Sequence, residues 1–317
     1  MCSPASDSYA ALALLSMDLD LAQLRALDAA VTHGTLDAAA RALHITPSAV
    51  SQRIRALEAS LGRVLLVRSK PVSVTEAGAA ALRVARQVES LAGTLSDELA
   101  IDTAAHRAGV RRSIPLAVNA DSLATWVLPA LATLEGLDFE LHREDQEHTT
   151  SYLREGTVMA AITSDAAPVQ GCTVEPLCVA SYRPCADRAF RERWFPHGVT
   201  RSALASAPLV DFDRKDELQR RYLRSRGAGD ATPPRNQVPA SADFVSAVRL
   251  GFGWGMLPTW QLEEAGGDVI VLDDRGVDVP LYWQQWNLRS ESLDRVREAI
   301  VAAAAALSPL SASPSPE

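Results

Sequence analysis

The apolar positions change rhythm along the chain, and each change marks a unit. Thr35 is placed to cap a short helix carrying Ala38, Ala39, Ala40 and Leu43, residues small or apolar enough to let a second helix cross closely. His44 and Ile45 form a turn, Thr46 is the next cap, and Pro47 takes the first helical position, where its missing N–H costs nothing. In the helix that follows, Val50, Ile54, Leu57 and Leu61 recur at helical spacing, which predicts a buried stripe. A second helical rhythm runs over 75–100, opened by Thr75 and Glu76, with Leu82, Val88, Leu91, Leu95 and Leu99 on one side. The stretch 101–112 breaks the pattern and reads as a hinge.

From Ser113 short apolar runs alternate with helical stretches: IPLAVN, LATWVLPALATLE, LDFELHRE, TSYLREG and VMAAITS. That alternation predicts an α/β domain with a parallel sheet and crossover helices. APLVDF, DELQRRYLRSR, NQVPA, DFVSAVRLG, GWGMLP and VPLYWQQW continue it, and the helix ESLDRVREAIVAAAAAL is expected to return to the first of two lobes. The expected organisation is a disordered extension (1–17), an all-α head of the winged helix-turn-helix kind (18–75), a linker helix (76–100), the hinge, and a two-lobed domain (113–308). The second lobe covers about 180–280, and 309–317 is a Pro- and Ser-rich disordered tail. Met17 stands just before the first helical pattern, so 1–16 is either an extension or an early choice of start.

Charge sharpens the picture of the head. Ser48, Ala49, Ser51, Gln52 and Arg55 point away from the buried stripe. Small and amide side chains near the start of an exposed helix suit a DNA major groove, where Gln reads adenine and Arg reads guanine or clamps phosphate. Between Arg41 and Lys70 the cations Arg41, Arg53, Arg55, Arg63, Arg68 and Lys70 face the single anion Glu58, within a chain of net charge −8. A basic patch in an acidic protein is the footprint of a phosphate-binding face. The candidate nucleic-acid contacts are therefore Thr35, Thr46, Pro47, Ser48, Ala49, Ser51, Gln52, Arg53, Arg55, Arg68 and Lys70. An ordinary helical hairpin with a solvated charged face is the alternative.

At 317 residues the chain holds two or three domains. Cys2, Cys172, Cys178 and Cys185 lack C-x-x-C spacing and a histidine cluster, so they read as free thiols rather than metal ligands, and nothing electropositive favours a Cys172–Cys178 redox switch. No apolar run approaches the ~20 residues that span a bilayer. The N-terminus lacks a basic n-region and carries Asp7, so a cytoplasmic location without membrane contact is expected.

Sheets of this kind bind ligands at strand carboxyl ends. The loops there are 119–122, 144–148, 163–165, 213–217 and 241–243. Ser122 and Ser241, near helix starts, are placed to anchor a carboxylate, whereas Glu144, Asp145, Asp213 and Asp216 offer anions to an ammonium or cationic side chain. With Asn119, Asp121 and Thr163 they form the candidate effector set, and a basic ligand suits it better than an acidic one. Plain helix capping is the alternative for each residue. His148 reads as a surface or capping residue, Trp126 as core, and Gly251, Gly253 and Gly255 as a tight turn rather than a phosphate loop. No catalytic constellation or cofactor motif stands out, so a non-enzyme without cofactor is expected, with an α/β enzyme left as a third reading.

The run LAQLRALDAAVTHGTLDAAARALHITPSAVSQRIRALEASLGRVLLVR, followed by TEAG, resembles the winged helix-turn-helix of LysR-type transcriptional regulators. LGRVLLVRSKP, VNADSLATW, EDQEH and WFPHGVTRSALASAP are similar to the LysG/ArgP branch of that family, and the resemblance covers residues 18–307. It implies a periplasmic-binding-protein-like (type 2) effector domain, a linker helix that pairs two chains, and an effector such as lysine or arginine. It also implies control of a basic amino-acid exporter gene through double-stranded DNA carrying an inverted-repeat operator. Dimer or tetramer, and contact with RNA polymerase, stay open. So do a LysR-type regulator answering another effector and a ligand-independent architectural DNA binder.

Overall fold

The computed structural model describes residues 19–67, 69–98, 112–144, 149–288 and 290–307. The head begins with α1 (Leu21–Thr32), α2 (Leu36–Ala42) and α3 (Pro47–Leu61). Thr35 Oγ1 accepts the Ala38 N–H at 3.1 Å and Thr46 Oγ1 accepts the Ala49 N–H at 3.2 Å, so both helix starts fall where the capping chemistry put them. His44, at φ 54°, turns the chain between α2 and α3. Ala26, Ala29 and Ala30 of α1, Ala39 and Ala40 of α2, and Val50 and Ile54 of α3 share one buried cluster. Methyl-sized side chains bring these helices into close contact.

The strands β1 (Leu66–Val67) and β2 (Ser73–Val74) pair antiparallel as the wing. Glu58, the one anion of the basic stretch, turns inward: its Oε1 accepts the Leu65 N–H at 2.9 Å and ties α3 to the wing. The long helix α4 (Glu76–Glu98) follows. Its start explains the TEAG run. Thr75 Oγ1 accepts the Gly78 N–H at 3.0 Å and donates to the Val64 carbonyl at 2.7 Å. Gly78 lies so close to the Leu65 carbonyl that a Cβ there would stand 1.9 Å from its oxygen.

The apolar stripe of α4 divides. Leu82 and Ala85 join Leu24, Leu27, Leu57 and Leu65 in the core of the head, whereas Leu91 and Leu95 are 48% and 54% exposed. The side of a single chain is thus buried only over the first turns. Leu99 and the hinge lie outside the described residues, except that Arg112 already opens the next strand.

The α/β domain starts with β3 (Arg112–Asn119), a helical run α5 (120–131) whose centre widens to π geometry over Leu123–Val127, and β4 (Leu137–Glu144). Then come α6 (Thr149–Arg154), β5 (Ala160–Thr163) and the sixteen-residue β6 (Cys172–Asp187). The second half adds α7 (Arg188–Trp194), α8 (Arg201–Ser206), β7 (Leu209–Asp211), α9 (Leu218–Ser225), β8 (Arg235–Gln237) and α10 (Ser241–Arg249). It closes with β9 (Gly255–Pro258), α11 (Thr259–Ala265), β10 (Val269–Val271), β11 (Val277–Trp286) and α12 (Glu291–Leu307).

The sheet differs from the all-parallel expectation. Its order is β4-β3-β5-β11-β6-β10, with β9 also on β6. Among the strands of the described residues, β3–β4, β3–β5 and the separate pair β7–β8 run parallel. The long β6 and β11 run antiparallel, shared between two lobes: Tyr282–Gln285 pair with β5, whereas Tyr182 to Asp187 carry β9 and β10. A bulge between Leu281 and Tyr282 marks the passage from one lobe to the other. The helix α12 packs on α5 and β6, returning to the first lobe as the sequence pattern implied.

Cys185 lies in the second lobe's core with Val210, Phe244, Val248 and Leu257. Burial pushes its thiol up to about 12 and that of Cys178 up to about 11, which makes both poor nucleophiles. Gly255 is a packing glycine, since a Cβ there would meet the Phe244 ring at 2.7 Å. No group of residues able to hold a metal occurs among the described residues, and no helix among them is long and apolar enough to cross a membrane.

Candidate nucleic-acid interface and ligand cleft

On α3 the exposed Ser48, Gln52 and Arg55 recur at helical spacing on the side opposite Val50, Ile54 and Leu57. Thr46 and Pro47 are exposed at its start, and Ala49, Ser51 and Arg53 are half-buried on its flanks. Thr35 caps α2 from a half-buried position, and Lys70 is exposed in the wing turn. Arg68 lies outside the described residues. Arg41 and Arg63 are exposed as well, so Arg41, Arg55, Arg63 and Lys70 face solvent on or beside a helix with polar, short side chains. A helix so displayed can enter a major groove while the flanking cations hold phosphates.

The α/β domain contains a solvent-open cleft of about 670 Å³ at the carboxyl end of β3. Asn119, Ala120 and Asp121 form one wall. Lys215, Asp216, Glu217, Leu218 and Arg221, on α9 and the loop before it, form another, and Phe212, Phe244, Met256, Leu257 and Gln261 supply the apolar and amide lining. The depth of the cleft is organised around Asp121. Tyr182 Oη donates to Asp121 Oδ2 and Ser241 Oγ donates to Oδ1, each at 2.7 Å, and Gln261 Nε2 donates to Ser241 Oγ at 2.6 Å. Burial raises the Asp121 pKa above its ordinary value, against the opposing pull of the Ser241 and Tyr182 hydrogen bonds.

Asn119, only 3% exposed, carries an Oδ1 with no hydrogen-bond partner. A buried acceptor left open at a cleft wall is costly unless a donor arrives. Ser122 Oγ, fully buried, is likewise unpartnered.

The structure sorts the other sequence candidates. Asp216 lines the cleft, but its oxygens accept the Phe212 and Leu218 N–H groups at 2.9 and 3.0 Å, so it also shapes the loop. Asp213 is a turn residue outside the lining, accepting from Lys215 N–H and Asp216 N–H. Ser241 sits beneath the cleft with its hydroxyl already engaged on Asp121. Thr163, fully buried, accepts the Asp165 N–H at 3.1 Å in the turn after β5. Parallel pairing sets Glu144 beside Asn119 in the sheet, and Asp145 lies outside the described residues. Tyr182, Lys215, Arg221 and Gln261 were not foreseen. The i, i+4 spacing of Glu217 and Arg221 in DELQRRYLRSR marked a shared helix face, but Tyr182 and Gln261 reach the site only through tertiary folding.

Residues 21–79 match the bacterial regulatory helix-turn-helix proteins of the lysR family, and residues 107–305 match the LysR substrate binding domain. The chain belongs to the LysR family of transcriptional regulators. The two matched spans coincide with the head carrying α3 and with the α/β domain carrying the cleft, so this LysR-type regulator combines a DNA-binding unit with an effector-binding one. It is similar to the lysine export transcriptional regulatory protein LysG of Corynebacterium glutamicum, at 39% identity over 290 residues, 89% of this chain and 97% of that one. Among solved structures it resembles ArgP of Mycobacterium tuberculosis, with a TM-score of 0.82 and 41% identity over 90% of this chain and 98% of that one. Full-length LysG of C. glutamicum with bound effector Arg gives a TM-score of 0.72 at 36% identity and the same coverage.

Proposed function

We propose that this LysR-type regulator senses a basic amino acid, lysine or arginine, in the cleft beside Asp121 and sets transcription of a gene for basic amino-acid export. The observation that carries the reading is the open Asn119 Oδ1 beside the half-buried Asp121 carboxylate: an acceptor in need of a donor next to a carboxylate. A carboxylate has lone pairs beyond the two that Tyr182 and Ser241 use, so an ammonium or guanidinium has room to add hydrogen bonds. Lys215 and Arg221 on the opposite wall suit the ligand's carboxylate, with Asp216 and Glu217 available to a second cation. The bound Arg of the similar C. glutamicum protein and the lysine-export role in its name support the ligand class.

On the DNA side, Gln52 and Arg55 read base edges, with Ser48, Ser51 and Thr46 close to the backbone and Arg53, Arg68 and Lys70 on phosphates. The exposed Leu91 and Leu95 of α4 are the seam for a second copy, whose two-fold symmetry matches an inverted-repeat operator. Ligand in the cleft favours one arrangement of the copies over another, and that difference in affinity is what reaches the DNA. Selection of bound duplexes from a random pool, followed by footprinting with and without arginine, tests the whole chain of events. A palindromic footprint that changes with arginine or lysine and not with glutamate is expected. An arginine-independent footprint removes the sensing role.

A further inference from the structure

We propose that Asp273 is a positioning residue for effector recognition, holding α9 against the turn that leads into β11 and thereby registering the α9 wall of the cleft with Asp121. This role rests on the reading of the cleft as the effector site. Asp273 lies between β10 and β11, outside the cleft lining. Its Oδ2 accepts the Tyr222 hydroxyl at 2.7 Å and faces Arg226 Nε at 3.2 Å, and its Oδ1 accepts the Arg275 N–H at 3.1 Å. Tyr222 is fully buried and follows Arg221 directly, so one turn of α9 shows a cleft residue on one side and the Asp273 tie on the other.

A helix this short does not hold itself. The eight residues of α9 are well below the length at which an isolated helix is stable, and Glu217 at its start makes no side-chain cap. Its place comes from tertiary ties: Gln219 Nε2 donates to the Val210 carbonyl at 2.8 Å, Tyr222 meets the Trp254 ring edge-on at 5.6 Å, and Asp273 holds Tyr222 and Arg226 together. Arg226 also donates to the Val199 carbonyl at 3.2 Å, which fixes the guanidinium that Asp273 grips. The Asp273 carboxylate is stabilised as the anion: burial works against it, and the Tyr222 hydroxyl, the Arg275 N–H and the two guanidiniums outweigh that cost.

The same turn is pressed onto β6. Leu272 N–H donates to the Pro184 carbonyl at 2.8 Å, Val277 registers with Tyr182, and a Cβ on Gly276 would stand 2.0 Å from the Tyr182 oxygen. Tyr182 in turn donates to Asp121. A path thus runs from Arg221 and Tyr222 on α9 to Asp273, along the turn 272–277 that packs on Tyr182 and Pro184, and from Tyr182 to Asp121, joining the two cleft walls. A residue on this path affects binding by fixing the distance between the groups that take the two ends of an amino acid.

The test uses the full-length protein and Asp273→Asn, which keeps the size of the side chain and removes its charge. Arginine affinity is measured by calorimetry for the parent, Asp273→Asn, Arg221→Ala and the double variant, with Arg201→Ala, which breaks an exposed pair with Asp230, as control. Asp273→Asn is expected to weaken arginine about five- to tenfold and to add little to Arg221→Ala, because both act through one wall. An affinity within about twofold of the parent, or losses that simply multiply in the double variant, overturns the proposal. Amide exchange without ligand supplies an independent arm: Asp273→Asn is expected to speed exchange in α9 and at residues 120–122 together. Faster exchange confined to α9 overturns the coupling even if the parent binds no basic amino acid, a result that would instead count against the ligand assignment.

Discussion

Tyr182 and Asp121 stand 61 residues apart in sequence, yet the Tyr182 hydroxyl donates to the Asp121 carboxylate at 2.7 Å. One belongs to the strand shared by both lobes and the other to the helix start after β3, so their bond ties that strand to a residue lining the cleft. The carboxylate held in this way is the chemical centre of the proposed ligand site.

Asp121 should give the regulator a pH-dependent affinity. Burial raises its pKa above 3.8, and a cationic ligand favours the ionised form, so arginine binding is expected to weaken as pH falls through the raised value and to release a proton there. The stability sign follows as well. A carboxyl whose folded pKa is raised stabilises the fold below its unfolded value, and that contribution is lost as pH rises through the folded one. Asp121→Asn should remove both dependences, keep operator binding and lose the response to arginine. Calorimetry in two buffers of different ionisation heat decides it; heats that do not depend on the buffer across that range contradict the assignment.

Gly78 should not tolerate a methyl group. A Cβ 1.9 Å from the Leu65 oxygen forces α4 away from the wing, and Gly78→Ala is expected to destabilise the head by about 2 to 4 kcal/mol. Urea unfolding followed by far-UV circular dichroism reads the loss, and an unchanged midpoint would show that the close approach is not needed.

Arg55 and Lys70 should differ in kind. If Arg55 reads a base from the exposed side of α3, Arg55→Ala lowers discrimination between operator and random DNA by about 1 to 3 kcal/mol. Lys70→Ala, in the wing turn, weakens both alike. Titrations on the two duplexes separate them, and equal losses for Arg55→Ala on both would refute its role as a reader.

The exposed half of the α4 stripe should be needed for pairing. Leu91→Glu with Leu95→Glu places like charges on the seam and is expected to yield monomers by sedimentation, with operator affinity reduced about tenfold or more. Unaltered assembly would assign the stripe to another role.

The head was legible in the sequence because its determinants are local. Thr35, Thr46 and Pro47 mark helix starts within three residues of the groups they cap, and Val50, Ile54 and Leu57 declare a face by spacing alone. The α/β alternation was legible too, but not the strand directions. β6 contains Glu175, Pro176, Arg183 and Pro184, which hide a long strand from any periodicity, and its antiparallel course depends on linking two lobes. In the cleft, the NADS run announced Asn119 and Asp121, since a polar cluster at a strand end has no core role. Asp213 looked equivalent to Asp216 in sequence, yet Asp216 lines the cleft and Asp213 does not, and the two take different backbone N–H groups. Tyr182 and Gln261 could not be found by spacing, because tertiary contact alone brings them to the site.

Calorimetric titration of the full-length protein with arginine and lysine, with glutamate and leucine as controls, tests the central claim most directly. Saturable binding of the basic amino acids alone, abolished by Asp121→Asn, is the predicted result. Binding of glutamate or leucine in their place, or of none of the four, would contradict the assignment of the cleft to a basic amino acid.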